Sequence, residues 1–219
     1  MESRKCVMDL MMKKLENIGI IPVVVIHDEK DAMPLAKALC DGGLLAVEVT
    51  FRTDAAEGTI RQMSEAYKEL LVGAGTVLTT EQVDRAVDAG AKFIVSPGLN
   101  SKVVRYCQEK GIPIIPGVVT PSEIEQALEL GLEVVKFFPA EPSGGLPMIQ
   151  AMGAAYTKLK FMPTGGINLQ NVEAYLKSDK ILACGGSWMV KEQDICDGNF
   201  EDITKKCKAV SALVQSVRA

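Results

Sequence analysis

The sequence predicts an α/β protein, a single-domain (β/α)8 TIM barrel with an extra N-terminal helix. Eight apolar, strand-like runs alternate with helical segments over 219 residues. Each helix must carry the chain back across the sheet, so the strands are expected to run parallel. No low-complexity linker interrupts the alternation, so residues 1–219 are expected to form one domain.

A doubly wound open sheet is the alternative architecture. It usually carries a glycine-rich fingerprint directly after the first strand, where a dinucleotide binds. This sequence has IHDEKD there, beginning at Ile26. Eight strand and helix units in about 200 residues therefore favour the closed barrel.

An amphipathic helix is expected at the N-terminus, and eight strands follow it. The strands share apolar runs, rich in β-branched residues and bounded by glycine, proline or charged residues. They are IPVVVI from Ile21, LLAVEVT from Leu44, LVGAGT from Leu71, AKFIVS from Ala91, IPIIPG from Ile112, EVVKFF from Glu133, KLKFMPT from Lys158 and KILACGG from Lys180.

The segments between the strands carry signals that start and stop helices. Asp31 is expected to cap the helix after the first strand. In TTEQVDRAVDAG, Thr79 or Thr80 is expected to cap a helix that ends at Gly90. In TPSEIEQALELG, Pro121 fits the first turn of a helix.

Composition excludes several classes of protein. The 24 basic and 28 acidic residues give a net charge of −4 without a long run of either sign. Nucleic acid and anionic membranes are therefore not expected as partners. No stretch is long and apolar enough for a membrane span, and the charged N-terminal residues lack the apolar core of a signal peptide.

The cysteines and the histidine limit the chemistry further. Six cysteines without CxxC spacing indicate reduced thiols in a cytoplasmic protein, most of them packing residues. They are Cys6, Cys40, Cys107, Cys184, Cys196 and Cys207. His27 is the only histidine, so a zinc centre or a Ser/His/Asp triad would have to be built around it. No metal site is expected.

Lys136 lies in EVVKFFPAE, within an otherwise apolar and aromatic run. Strand alternation places Val134, Lys136 and Phe138 on one face, so an inward lysine is expected where water is scarce. Burial disfavours the charged form of an amine, and the neutral form is the nucleophile. Lys136 is therefore a candidate Schiff-base former. The alternative is a lysine at a strand end whose ammonium reaches solvent.

Glu48 is a second charge embedded in an apolar strand, AVEVTFRT. The second and sixth strands of an eight-stranded barrel face each other across its interior, so Glu48 and Lys136 are expected to meet over a small ligand. The alternative is a plain buried ion pair. Arg52 follows at the same strand end, where its guanidinium can bind a carboxylate or simply lie on the surface.

The ends of four other strands carry candidate ligand-binding positions. Thr76 closes GAGT and Pro97 lies in VSPG, where small residues let a ligand approach the backbone or merely form turns. PTGGI from Pro163 and CGGSW from Cys184 place paired glycines after the seventh and eighth strands. Barrels bind phosphate there through backbone N–H groups, although tight turns alone would also require glycine.

At these residues the sequence resembles the class I aldolases of the 2-keto-3-deoxy-6-phosphogluconate (KDPG) and 4-hydroxy-2-oxoglutarate (KHG) type. The resemblance runs from about Val23 to Val190. It is carried, in order, by VEVTFRT, GAGTVL, SPGL, IPGV, VKFFPAE, PTGGI and GGSW. Departures are confined to loops, namely IHDEK after the first strand and EPSGG after the lysine strand.

The resemblance implies a (β/α)8 barrel, commonly a homotrimer, that acts on a small and often phosphorylated keto acid without a metal or organic cofactor. It implies that Lys136 forms the Schiff base with pyruvate and that Glu48 is the general acid and base. Arg52 matches the residue that holds the pyruvyl carboxylate. The other substrate-binding positions that it implies are Thr76, Pro97, Phe138, Thr164, Gly165, Gly166 and Ser187.

Two other functions remain open from the sequence. A phosphate-sugar isomerase or epimerase would use Glu48 as base on the same phosphate site and would stay active after Lys136→Ala. A non-catalytic barrel that binds phosphorylated metabolites would release no pyruvate. A metal-dependent aldolase is disfavoured by the single histidine. The sequence does not determine which of the two aldols is preferred.

Overall fold

Strands and helices alternate along the computed structural model, which describes the backbone of residues 2–218 and the side chains of residues 8–218. Within these residues the strands are β1 (Ile20–Val24), β2 (Ala46–Thr50), β3 (Leu71–Gly75), β4 (Phe93–Val95), β5 (Ile114–Ile115), β6 (Gly117–Val118), β7 (Val134–Phe137), β8 (Lys160–Pro163) and β9 (Cys184–Gly186). The helices are α1 (Glu2–Ile18), α2 (Ala32–Asp41), α3 (Ala55–Ala66), α4 (Thr80–Asp88), α5 (Ser101–Lys110), α6 (Pro121–Glu129), α7 (Gly145–Ala155), α8 (Val172–Leu176), α9 (Glu192–Cys196) and α10 (Phe200–Arg218).

The strands pair in parallel and curl into the predicted barrel. One run has the order β5-β4-β3-β2-β1-β9, and the other has the order β6-β7-β8. The runs join where β5 continues into β6, and where parallel bridges from Phe161 to Ile181 and from Thr164 to Gly185 connect β8 to the last strand. The α/β barrel class predicted from the sequence is confirmed, because β5 and β6 together form the fifth of eight barrel strands.

The structure interrupts the fifth predicted strand and begins the eighth later than expected. Pro116 divides the fifth strand into β5 and β6 because proline has no N–H to donate to the ladder. Its carbonyl still accepts a hydrogen bond from the Lys136 backbone N–H at 2.9 Å. The eighth barrel strand begins at Cys184 rather than at Lys180, after a connection that pairs with β8 only through single bridges.

A small apolar cluster fills the N-terminal end of the barrel. It consists of inward-facing residues from most of the strands together with Leu15 of α1. Because α1 leads directly into β1 through Gly19, it closes the end where the strands begin. The chain therefore leaves the opposite end, where the strands finish, open for a ligand.

Helix starts agree with the sequence signals at two of three positions. Thr79 caps α4 in a capping box with Gln82, and Thr120 caps α6 ahead of Pro121. The prediction that Asp31 caps α2 is wrong, because its side chain makes no capping hydrogen bond. A 3-10 turn precedes α2 there, and its cap is Asp28, which accepts from the Lys30 N–H at 3.0 Å.

The cysteines whose side chains are described are free thiols, and Cys6 lies outside the described side chains. Burial raises the pKa of Cys107, Cys184 and Cys207 to about 12, so these three are neutral packing residues. None of the helices in residues 2–218 is both apolar and long enough to span a bilayer.

Candidate active site

Lys136 and Glu48 meet inside the barrel. Lys136 projects inward from β7, between Gly117 of β6 and Met162 of β8, and Glu48 projects inward from β2. The Lys136 Nζ lies 3.1 Å from Glu48 Oε1. The two residues are only 5% and 1% exposed, so the pair is screened from water. Such a pair can exchange a proton directly over one hydrogen bond.

The surroundings of Glu48 are built to admit its carboxylate. A Cβ atom on Gly75 of β3 would lie 2.2 Å from Glu48 Oε1, so only glycine leaves room there. The second carboxylate oxygen, Oε2, is buried without a hydrogen-bond partner among the described residues. Leaving a buried acceptor unpaired costs free energy, which makes this oxygen available to a substrate or a water molecule.

Phe138 and Pro97 line the lysine end of the site. The Phe138 ring centroid lies 5.3 Å from Lys136 Nζ, and the ring forms one apolar wall beside the amine. The Pro97 carbonyl packs where Gly117 has no side chain, next to the lysine on the neighbouring strand. Phe138 adjoins the Lys136 amine, Pro97 packs against Gly117 on the strand beside it, and neither lines the cavity described below.

Arg52 and Thr76 interact at the mouth of the barrel. The Arg52 Nε donates a hydrogen bond to Thr76 Oγ1 at 3.3 Å, which fixes the guanidinium and leaves its two terminal nitrogens for an anion. Thr76 has a φ of +57°, which costs a residue with a side chain about 1–2 kcal/mol. Strained backbone of this kind is concentrated at ligand sites.

A cavity of about 280 Å³ opens beside these residues at the C-terminal end of the strands. Glycine turns, residues with hydroxyl groups and an arginine line it, together with one acidic residue. Its lining is Val23, Val25, Arg52, Thr164, Gly165, Gly166, Ile167, Gly186, Ser187, Val190 and Glu192. This set can hold an anion with few positive charges, as phosphate sites of barrels do.

The turn after β8 requires its two glycines. Gly165 and Gly166 have φ angles of +101° and +85°, which residues with side chains rarely adopt. A Cβ on Gly166 would also lie 2.6 Å from the side chain of Glu141. Thr164, directly before the turn, lines the cavity, and its Oγ1 is buried without a partner among the described residues.

Comparison with known proteins identifies the family. A model described as KDPG and KHG aldolase matches residues 11–206. The 2-dehydro-3-deoxy-phosphogluconate aldolase of Treponema pallidum is 50% identical, with 89% of this chain and 92% of that protein covered. The enzyme of the same name from Haemophilus influenzae is 45% identical, with 94% of this chain and 97% of that protein covered. This chain belongs to the KDPG and KHG aldolase family.

A solved structure extends the comparison to the fold and the chemistry. KDPG aldolase from Legionella pneumophila, with pyruvate captured as a covalent carbinolamine, is 41% identical and has a TM-score of 0.88. The alignment covers 91% of this chain and 97% of that one. Membership of this family makes the chain a carbon–carbon lyase, a class I aldolase, as the sequence predicted.

The structure brings the predicted site residues of this aldolase to one end of the barrel. Glu48 and Phe138 lie beside the Lys136 amine, and Pro97 packs against Gly117 on the neighbouring strand. The residues Arg52, Thr164, Gly165, Gly166 and Ser187 line the cavity, and Thr76 is joined to it through Arg52. Among the described side chains, no group of three or more His, Cys, Asp or Glu residues is arranged to hold a metal ion.

Sequence reasoning did not identify two side-chain pairs at or behind the cavity wall. Glu192 lines the cavity, and its Oε1 accepts a hydrogen bond from His27 Nε2 at 2.6 Å. Glu141 packs behind Gly166 and accepts a hydrogen bond from Tyr175, whose pKa is raised by burial and then by that carboxylate. Both pairs join residues distant in sequence, although Glu192 could have been found because it follows the eighth strand.

Proposed function

We propose that this aldolase cleaves 2-keto-3-deoxy-6-phosphogluconate to pyruvate and glyceraldehyde 3-phosphate, and 4-hydroxy-2-oxoglutarate to pyruvate and glyoxylate. The observation that carries the proposal is the buried contact of 3.1 Å between Lys136 Nζ and Glu48 Oε1. A lysine with a carboxylate at this distance can lose its proton to it and attack a ketone. The carbinolamine in the Legionella relative supports the same covalent route.

The first step forms the Schiff base. Lys136 gives a proton to Glu48, and the neutral Nζ attacks the C2 carbonyl carbon, forming a C–N bond and a carbinolamine hydroxyl. Glu48 then protonates that hydroxyl, which leaves as water while the nitrogen lone pair forms the C=N bond. The resulting iminium is positively charged and can accept an electron pair from C3.

The second step breaks the bond between C3 and C4. Glu48, directly or through a water molecule, takes the proton of the C4 hydroxyl, and a carbonyl forms at C4. The electron pair of the C3–C4 bond moves to C3 and the iminium, giving an enamine, and the aldehyde leaves. Proton return to C3 and attack of water on the iminium release pyruvate and restore Lys136.

The remaining site residues position the substrate in this proposal. Arg52, held by Thr76, binds the pyruvyl carboxylate, and Phe138 with Pro97 bounds the reacting carbons. Thr164, Gly165, Gly166 and Ser187 bind the distal end of the aldol. Their hydroxyls and backbone N–H groups suit a terminal phosphate. Binding both ends of the substrate holds the scissile bond next to the amine. This orientation increases the rate of bond cleavage.

We also propose an oligomeric state, a location and a set of partners for the enzyme. Resemblance to the family supports a homotrimer without metal or organic cofactor, and the free thiols support a cytoplasmic protein. Residues 1–219 are proposed to form one domain. Small keto acids are the proposed partners, and neither nucleic acid nor membrane is one.

A coupled assay tests the proposed activity. Pyruvate release from each aldol is followed with lactate dehydrogenase and NADH, with and without EDTA. We expect release from both aldols and equal rates in EDTA. Wild-type protein that releases pyruvate from neither aldol would refute the proposed function, and loss of activity in EDTA would refute the Schiff-base route.

A further inference from the structure

An acidic side chain lies in the part of the site that otherwise suits an anion. The glycine turns, Ser187 and Arg52 offer donors and a positive charge to the cavity, yet Glu192 also lines it. The negative charge of a carboxylate opposes the binding of an anionic ligand. Glu192 repels anions that the other groups of the cavity attract, and the repulsion grows with the charge of the ligand. A carboxylate at this position can therefore discriminate between ligands of different charge.

Glu192 is held in this position by His27. The histidine follows β1, Glu192 begins α9 after β9, and the bond from Nε2 to Oε1 is 2.6 Å long. Both side chains are 53% exposed, so the pair lies at the rim and not in the interior. His27 engages one carboxylate oxygen and restrains the direction of the other.

Two nearby charged groups of these segments have ion-pair partners other than Glu192. Lys30, near His27, pairs with Asp28 at 2.9 Å. Asp194, on the same helix as Glu192, pairs with Lys206 at 2.7 Å. Glu192 therefore brings its negative charge to the cavity with His27 as its hydrogen-bonded partner.

We propose that Glu192, positioned by His27, determines which aldols this enzyme prefers. Its carboxylate penalises a substrate that ends in a dianionic phosphate more than one that ends in a single carboxylate. His27 limits the penalty, because the hydrogen bond keeps the carboxylate at the rim. This inference rests on the proposed function, since it concerns the distal end of the same substrates.

The expected effect is moderate because the pair is exposed. Water and salt screen charges at a rim, so one carboxylate there changes the binding of a dianion by about three- to tenfold at low ionic strength. A singly charged end group experiences about half of that interaction free energy. The discrimination therefore appears in the ratio of kcat/KM for the two aldols, mainly through KM, and it declines as salt is added.

Glu192→Gln is the direct test, with Glu129→Gln as matched control. Glu129 ends α6, at the opposite end of the barrel, and its substitution makes the same change in net charge. We expect Glu192→Gln to raise the ratio of kcat/KM for the phosphorylated aldol to kcat/KM for the unphosphorylated aldol by about two- to threefold at low salt. Glu129→Gln should leave the ratio unchanged.

His27→Ala tests the positioning role. It should lower the ratio in the wild-type background, because the released carboxylate can turn into the cavity, and have no effect on the ratio in the Glu192→Gln background. An unchanged or lower ratio in Glu192→Gln, or an equal effect of His27→Ala in both backgrounds, would overturn the inference. Wild-type cleavage of the aldols, measured in the same assay, separates this failure from failure of the proposed function.

Discussion

The two ends of the site differ in how they obtain their properties. At the lysine end, two oppositely charged side chains are buried together on rigid strands, with Gly75 leaving the space that Glu48 needs. At the cavity end, glycine turns form much of the wall, and the hydrogen-bonded pair of Glu192 and His27 is half exposed. The comparison indicates that reactivity depends on burial, whereas substrate choice depends on groups at a solvent-exposed rim.

The largest effect is expected at the lysine end. Lys136→Ala should reduce kcat for both aldols by about 10⁴-fold or more, because no Schiff base can form. Steady-state pyruvate release is the measurement. Lys160→Ala is the control, since Lys160 lies on the adjacent strand β8 and pairs with Glu16 away from the amine. Substantial turnover by Lys136→Ala would favour an isomerase-like use of Glu48 alone.

Glu48→Gln should have the next largest effect. A positioned acid and base contributes about 10²- to 10⁴-fold, so kcat should fall by such a factor, and by the same factor for both aldols. Equal loss is expected because Glu48 acts on atoms common to both substrates. Thermal unfolding checks that the variant is folded. A loss of kcat confined to one aldol would contradict the assignment of catalysis to the lysine end and of substrate choice to the cavity end.

Gly75→Ala tests whether space around Glu48 matters. The new Cβ would meet Glu48 Oε1 at 2.2 Å, so the carboxylate must move away from Lys136. A displacement of this size should lower kcat by about 10²-fold for both aldols. Gly98→Ala is the matched control, because a Cβ there meets nothing within 4 Å. Wild-type kcat in Gly75→Ala would show that the contact of 3.1 Å is not required.

Gly166→Ala addresses the cavity end and should have the smallest effect on kcat. It distorts a turn with a φ of +85° and crowds Glu141. We therefore expect KM for the phosphorylated aldol to rise about tenfold. KM for the shorter aldol should rise less. Gly131→Ala is the control, because Gly131 has a φ of +72° but open space around it. A fall in kcat without a rise in KM would contradict the proposal that the cavity end binds substrate and does not take part in catalysis.

Much of this arrangement follows from the sequence because it depends on local periodicity. Alternation in EVVKFF and AVEVT predicts inward side chains at Lys136 and Glu48, and eight strand and helix units predict their approach across a barrel. The split of the fifth strand at Pro116 was not predicted, although proline gives a physical reason for it. A strand boundary depends on hydrogen bonds to neighbouring strands, which local sequence does not specify.

The pairs of Glu192 with His27 and of Glu141 with Tyr175 could not be predicted in the same way. Their members are 165 and 34 residues apart, and each contact depends on how loops follow the strand ends. Each contact joins separate elements, so neither the alternation of one strand nor the periodicity of one helix specifies it. Helix caps are also difficult to assign from sequence, as Asp31 shows. A 3-10 turn precedes α2, and Asp28 caps that turn while Asp31 makes no capping hydrogen bond.

The most direct test of the account is borohydride trapping with pyruvate. The protein is incubated with pyruvate, reduced with sodium borohydride and digested, and the lysine-containing peptides are compared by mass. We predict that the peptide containing Lys136 gains one reduced pyruvyl group, while the peptide containing Lys160 does not. An unmodified Lys136 peptide from fully active enzyme would contradict the central claim that this buried amine forms the covalent intermediate.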